Sequence, residues 1–263
     1  MSGPSKKGTG PREGARRAGW PRAVGIVFGR ELSAFFDSAI AYVYLISALV
    51  LLSSLFMNEF FLTGRLDMTP FFDSLAPISI FLLPAVTMRL WAEDKKTRTF
   101  ELWMTLPLRP GQVVLGKFCA ALALYALFLL GTAPIVIMLE SLGDPDLGLV
   151  LSGYLGAFLF GGLFLAFGTF LSGLTGDQIV AFVTSVLCGF VFVFTGHPKV
   201  IAVLDGMAPG AELGTWLADH VAALPHYESF VRGLVELPSV LWFLGLAGAF
   251  LWLNTLVVAK VRS

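Results

Sequence analysis

The residues best suited to chemistry are few, and most lack the partners that their chemistry needs. Gly111-Gln-Val-Val-Leu-Gly116-Lys117-Phe118 comes close to a phosphate-binding loop. Such a loop needs a Ser or Thr after the Lys to hold magnesium, and a preceding strand to aim its backbone amides. Here Phe118 takes the hydroxyl position and the segment opens an apolar span, so nucleotide binding is not expected in this chain. His197, His220 and His226 match no standard metal-ligand spacing and are expected at a surface or interface. Cys119 and Cys188 fall inside apolar spans and are expected to behave as small apolar residues, without a disulfide. A serine-type hydrolase would need a hydroxyl and a histidine at membrane depth, and no span contains a histidine. Arg89, Glu140, Asp73 and Asp177 sit at span ends, and the span centres are almost free of ionisable groups. Proton- or ion-coupled transport, which uses charges within the spans, is therefore disfavoured.

What remains is a surface. Trp91 to Lys117 carries Lys95, Lys96, Arg98, Arg109 and Lys117, with Glu93, Asp94 and Glu101 interleaved. Phe100, Leu102, Trp103, Leu106 and Leu108 add more apolar area than a solvated loop requires. That mixture predicts a short amphipathic helix along the membrane surface. Thr97 or Thr99 is the expected cap, and Pro107, Pro110 and Gly111 the stop. An apolar face beside charge, outside the bilayer, is suited to docking a partner.

The elements that position this surface follow from apolar length. Of 263 residues 56% are hydrophobic and 14% charged, and the mean hydropathy is +0.80. A soluble core of this size could not hide so much apolar surface. The expected fold is all-α and polytopic, because runs of about 20 apolar residues cross a hydrocarbon core of about 30 Å. Six spans are placed at about 40–57, 71–90, 113–139, 149–171, 179–194 and 240–258, the fifth of them short. Pro77, Pro84 and Pro134 lie within them and should kink their helices. Residues 1–22 form a basic, Gly- and Pro-rich tail expected to be disordered, and 23–263 the transmembrane domain. Val24, Phe28, Leu32 and Phe35 recur at helical spacing before the first span, which predicts either an interfacial helix or an extension of that span.

Charge sets the expected orientation. With the N-terminus inside, all but Arg65, Lys199 and Arg232 of the 18 basic residues fall on one side, and both ends are cytoplasmic. The outer segment 197–239 should hold two short helices, 211–224 and 226–237, separated by Pro225 and resting on the outer leaflet. Gly153, Ala157 and Gly161 form a ridge of small residues on the fourth span, more readily explained by packing within the chain than by a subunit interface.

Met88-Arg89-Leu90-Trp91-Ala92-Glu93-Asp94-Lys95-Lys96-Thr97-Arg98-Thr99-Phe100-Glu101-Leu102, then Thr105-Leu106-Pro107 and Leu115-Gly116-Lys117-Phe118, resemble the inner loop of type-2 ABC exporter permeases, the ABC-2 family. Within that family the chain looks most like the gliding-motility permeases, relatives of permeases linked with copper-enzyme maturation. Phe36 to Val43, Gly143 to Asp146, Leu174 to Phe182 and His226 to Gly233 extend the likeness over about residues 28–258. Arg98 stands where relatives often have Gly, and Phe100 where they often have Leu. No Met/His/Cys cluster of the kind Cu(I) prefers accompanies the likeness.

The resemblance implies a permease subunit with no nucleotide site, cofactor or metal of its own. Two separate ATPase subunits, which bind the ATP and magnesium, would drive it, and it would pair with an identical or similar second permease. A large auxiliary membrane or periplasmic subunit would complete a gliding-type assembly in a bacterial inner membrane. The partners are then proteins and the lipid bilayer, not nucleic acid. Residues 93–106 become the coupling helix, with Phe100, Leu102, Trp103 and Leu106 as anchors and Glu93, Asp94, Lys95, Lys96, Arg98 and Glu101 setting orientation. Thr175, Asp177 and Gln178 form a second, smaller inner contact. The expected activity is ATP-driven export of, or mechanical work on, a lipid-linked, polymeric or protein-associated cargo. The competing reading is a membrane anchoring or assembly subunit that transports nothing.

Overall fold

The computed structural model describes residues 19–97, 99, 103, 108–207 and 213–262. Of the expected docking residues, Arg98, Phe100, Glu101, Leu102 and Leu106 lie outside these, as do residues 1–18 of the tail. Every regular element among the described residues is helical. In chain order they are α1 Trp20–Phe36, α2 Ala39–Thr63, α3 Thr69–Lys96, α4 Pro110–Gly131, α5 Ala133–Leu142, α6 Leu147–Leu174, α7 Gln178–Phe194, α8 Pro198–Met207, α9 Leu213–His220, α10 Leu224–Val231 and α11 Leu237–Arg262.

Among the described residues five stretches are long and apolar enough to cross a membrane, α2, α3, α4 with α5, α6 and α11, and the bent pair α7 with α8 makes a sixth if it is counted as one span. The chain is a multi-pass membrane protein. Burial sorts these spans, since 67% of the α6 window and 56% of the α3 window are inside the protein, against 17% for α2 and 11% for α11. α3 and α6 are therefore the centre of the bundle. α2 and α11 present apolar side chains such as Val43, Ile46, Leu241 and Trp252 outward, as lipid-facing helices do.

α7 is the short member, 17 residues or about 26 Å at 1.5 Å per residue. It begins beside the end of α3, where Lys95 bonds the carbonyl of Thr175. Gly189, further along, packs beside Ile80 and Phe164, and Val193 near its end lines a cavity with Asp73 and Pro77 at the start of α3. α7 thus runs the depth of the bundle antiparallel to α3, and the chain then turns by 87° into α8.

This topology gives the bundle two chemically different ends. Arg30, Arg89, Lys95, Lys96, Arg109, Lys117 and Lys260 collect at one, called here the basic end. Glu59, Asp67, Asp73, Glu140, Asp144, Asp146, Asp205, Glu228 and Glu236 collect at the other, the acidic end.

Local chemistry accounts for the breaks. Pro134 stands in the first turn of α5, so the third span is two helices joined at Thr132. The Thr132 hydroxyl bonds the Leu129 carbonyl at 2.6 Å and the Tyr154 hydroxyl at 2.6 Å. Pro77 and Pro84, by contrast, stay inside an unbroken α3. α1 is a helix separate from α2, broken from it at Asp37–Ser38, and it lies along α4 with Val27 against Gly116.

The outer segment differs from expectation. Among the described residues it holds three short helices, and Pro225 lies in the first turn of α10 instead of separating two helices. A proline at that position loses no intrahelical bond, because the first N–H groups of a helix have no internal acceptor. The small ridge on α6 is consumed inside the chain. Gly153 faces Phe72, Gly161 faces the Tyr125 ring, and the Ala157 carbonyl accepts from the Tyr125 hydroxyl at 3.0 Å.

Candidate functional site at the basic end

The site is built around one buried ammonium. Lys117 lies two turns into α4, and its side chain is 1% exposed. Its three N–H donors have three acceptors: Asp94 Oδ2 at 2.7 Å, Glu31 Oε1 at 2.9 Å and the Leu90 carbonyl at 2.7 Å. The charge also lies 5.1 Å from the Trp91 ring centroid and 5.7 Å from that of Trp103. Two carboxylates, one carbonyl and two aromatic faces together replace the water the ammonium has lost.

Asp94 carries the network outward. Besides Lys117 it accepts from Trp103 Nε1 at 3.1 Å and from the Thr99 hydroxyl at 2.8 Å. Trp103 is buried, with the Arg30 guanidinium 4.4 Å above its ring. Arg30 and Glu31 come from α1, Asp94 from α3 and Lys117 from α4, so one polar cluster joins three helices and the segment that follows α3.

A second set of bonds joins α3 to α6. Ser172 Oγ accepts from the backbone N–H groups of Trp91 at 3.2 Å and Ala92 at 3.3 Å, and donates to the Met88 carbonyl at 3.1 Å. Lys95 Nζ donates to the Gly173 and Thr175 carbonyls, the latter at 3.0 Å. Those carbonyls lie at and just beyond the C-terminus of α6, where a cation is favoured. Arg89 pairs with Glu93 at 2.8 Å and donates to the Ser38 hydroxyl at 3.3 Å, which reaches the α1–α2 junction.

The predicted site residues divide accordingly. Glu93, Asp94, Lys95 and Lys96 form the last turn of α3 and are not a free loop. Of these four, Lys96 is exposed, Glu93 is partly occupied by Arg89, and Asp94 and Lys95 bond the chain to itself. The hydroxyls of Thr97 and Thr99 both donate back to the end of α3, and the residues they were expected to cap lie outside the described ones. Asp177 caps α7 by accepting from Ile179 N at 2.7 Å and Val180 N at 3.2 Å. The Lys95–Thr175 bond brings the start of the expected 93–106 contact beside the 175–178 turn.

Sequence reasoning missed Glu31 and undervalued Lys117. The available signal was a lysine two turns into an apolar span, which demands a buried anion nearby. Gly111 to Phe118 is helical throughout, and Lys117 is committed to Glu31, Asp94 and Leu90, so the segment has none of the geometry of a phosphate loop. Among the described residues the arrangement holds no nucleophile with a base. Through Asp94 and Arg30, Trp103 is tied at once to α1, α3 and α4.

The family model described as ABC-2 family transporter protein matches residues 67–217, from the start of α3 through most of the outer helices. No curated protein matches the chain.

Proposed function

The chain belongs to the ABC-2 transporter family, and from that premise we propose that this membrane permease component takes mechanical input from separate ATPase subunits at its basic end. Two ATPase subunits holding Mg-ATP would serve a pair of permeases, the second being a copy or a close relative of this chain. Residues 93–106 seat on the ATPase through Phe100, Leu102 and Leu106. Lys96, Arg98 and Glu101 set the orientation, and the 175–178 turn makes a smaller contact. Asp94 and Trp103 hold the seat to the bundle.

The observation that carries this reading is the buried Lys117 cluster, which links the docking segment to α1, α3 and α4 where a lever would need to be stiff. The concentration of Lys and Arg at the basic end supports an orientation with that end and both termini facing the cytoplasm of a bacterial inner membrane. Apolar span walls suit an amphiphilic cargo, either lipid-linked or carried on a polymer or protein. The gliding-motility subfamily, with its auxiliary subunit, is the branch that the inner-loop motifs favour.

The test is co-purification of the complex through this chain. Phe100→Asp or Leu106→Asp should release the ATPase while membrane insertion is unchanged. Unchanged co-purification in both variants would overturn the docking assignment. ATPase activity that ignores every candidate cargo in the reconstituted complex would favour an anchoring subunit instead.

A further inference from the structure

The acidic end contains a cavity that the coupling reading does not use. It has a volume of about 330 Å³ and lies between the first turns of α3, the end of α7 and the start of α10. Asp73, Glu228 and His197 supply its polar lining, and Pro77, Val193, Phe194 and Leu224 are among its apolar walls. The size falls within the range of small-ligand sites, about 300–1,000 Å³. It lies at the acidic end of the bundle, where α7 ends at Phe194 and the chain turns by 87° into α8.

The charges around it are unevenly matched. Asp73 makes no hydrogen bond or ion pair among the described residues, and it also lines a neighbouring cavity of about 470 Å³ with Glu59, Asp67 and Arg65. Glu228 pairs with Arg232 at 3.0 Å, but both side chains are substantially exposed, at 42% and 72%. Such a pair is weak and easily exchanged. His197 accepts from the Lys199 N–H through Nδ1 at 3.3 Å, which leaves its other nitrogen available. Among the described residues no group of three or more His, Cys, Asp or Glu is placed to hold a metal ion. A bare cation would also leave the apolar walls unused.

We propose that this cavity binds the ammonium group of a cationic amphiphile, with Asp73 and Glu228 facing the charge and Pro77, Val193, Phe194 and Leu224 covering the adjoining carbons. The ammonium can belong to a lipid headgroup or to a free amphiphile, and the chemistry is the same. The proposal goes beyond the coupling reading and concerns the opposite end of the bundle. Its test is made on the full chain without an ATPase, so either reading can fail alone.

Calorimetric titration of the detergent-purified chain with octylammonium, below its micellar concentration, should show saturable binding. Asp73→Asn should weaken that binding by about tenfold, about 1.4 kcal/mol, and Asp73→Asn with Glu228→Gln should weaken it further. Octanol should bind more weakly than octylammonium and be indifferent to both changes. Asp73 is exposed, so the single variant remains a fair test if the double variant does not fold. Equal binding of octanol and octylammonium, or undiminished octylammonium binding by Asp73→Asn, would overturn the proposal. Displacement of octylammonium by short-chain phosphatidylethanolamine assigns the site to a lipid headgroup, and failure to displace assigns it to a free amphiphile.

Discussion

The two ends of this bundle handle polar groups in opposite ways. At the basic end Lys117, Asp94 and Glu31 are drawn into the protein, and Ser172 and Lys95 join α3 to α6 through backbone groups. At the acidic end charged groups line two open cavities, and α8 and α9 form a hairpin joined mainly to itself. There Asp205 accepts from Gly214 N at 2.6 Å and from the Thr215 hydroxyl at 2.8 Å. The charged groups of one end are drawn into desolvated bonds, whereas those of the other stay exposed and replaceable, although buried bonds from the Tyr227 hydroxyl to the Phe72 carbonyl and from the Ser152 hydroxyl to the Phe230 carbonyl still hold α10 to α3 and α6. Under the proposed coupling, in which force enters at one end and cargo is met near the other, that asymmetry has a use. Stiffness delivers displacement, and loosely held groups can exchange partners.

The largest effect should come from breaking the weld. Lys117→Met leaves Asp94 and Glu31 as buried anions without their shared cation, which costs about 3–5 kcal/mol where one partner of a buried pair is removed. A large fall in thermal unfolding temperature in detergent is expected. Adding Asp94→Asn to Lys117→Met should recover part of that loss, because the double change removes an uncompensated charge. If Lys117→Met unfolds at the wild-type temperature, the basic end is no stiffer than the acidic end and the contrast fails.

A smaller effect separates the ends by packing. Gly116 of α4 lies against Val27, and a methyl group there would overlap the valine side chain. Gly116→Ala should push α1 away and cost about 1–3 kcal/mol, as overpacking does. Around Gly206, in the α8 hairpin, no described residue lies within 4 Å of where a Cβ would stand. Gly206→Ala should be neutral or stabilise by about 0.5–1 kcal/mol through helix propensity alone. The pair of unfolding temperatures therefore compares the packing of α1 on α4 with that of the α8 hairpin.

How much of this was legible in the sequence depends on the range of the interaction. Apolar length alone placed helices over the six expected spans, and the cluster of basic residues on one side of the charge map lies at one end of the structure. Pro134 marked a real break because it stands at a first helical turn, whereas Pro77 and Pro84 are carried within the tightly packed α3. The polar weld could not be read in the same way. Lys117 and Glu31 are 86 residues apart, and Lys95 and Thr175 are 80 apart. No local periodicity encodes which side of a helix end meets a distant neighbour. Asp94 and Lys95 look like solvent charges in a polar run, and only the packing of α4 and α6 against α3 turns them inward. The outer segment differs for another reason: short helices have few turns to show periodicity, and Pro225 stands within the first turn of a helix instead of separating two.

The smallest effect is a pH response confined to the acidic end. His226 of α10 stacks on Trp242 of α11 with ring centroids 4.6 Å apart, and its Nδ1 lies 3.2 Å from the Ser239 hydroxyl. Burial lowers its pKa below the ordinary histidine value, with Glu236 pulling part of the way back. The folded protein therefore prefers the neutral ring. Above about pH 6.5, the unperturbed value, the ring is neutral whether folded or not, and its contribution is complete. As the pH falls below that, the unfolded chain takes up a proton that the folded state resists, so stability declines with acidification. Hydrogen exchange of residues 224–243 should accelerate between pH 7.5 and 5.5, after correction for the intrinsic rate, relative to the amides around Leu90 and Gly116. His226→Phe keeps the stacking and should remove the difference. If the Leu90 and Gly116 amides loosen over the same range to the same degree, the two ends open as one unit and the asymmetry is not mechanical.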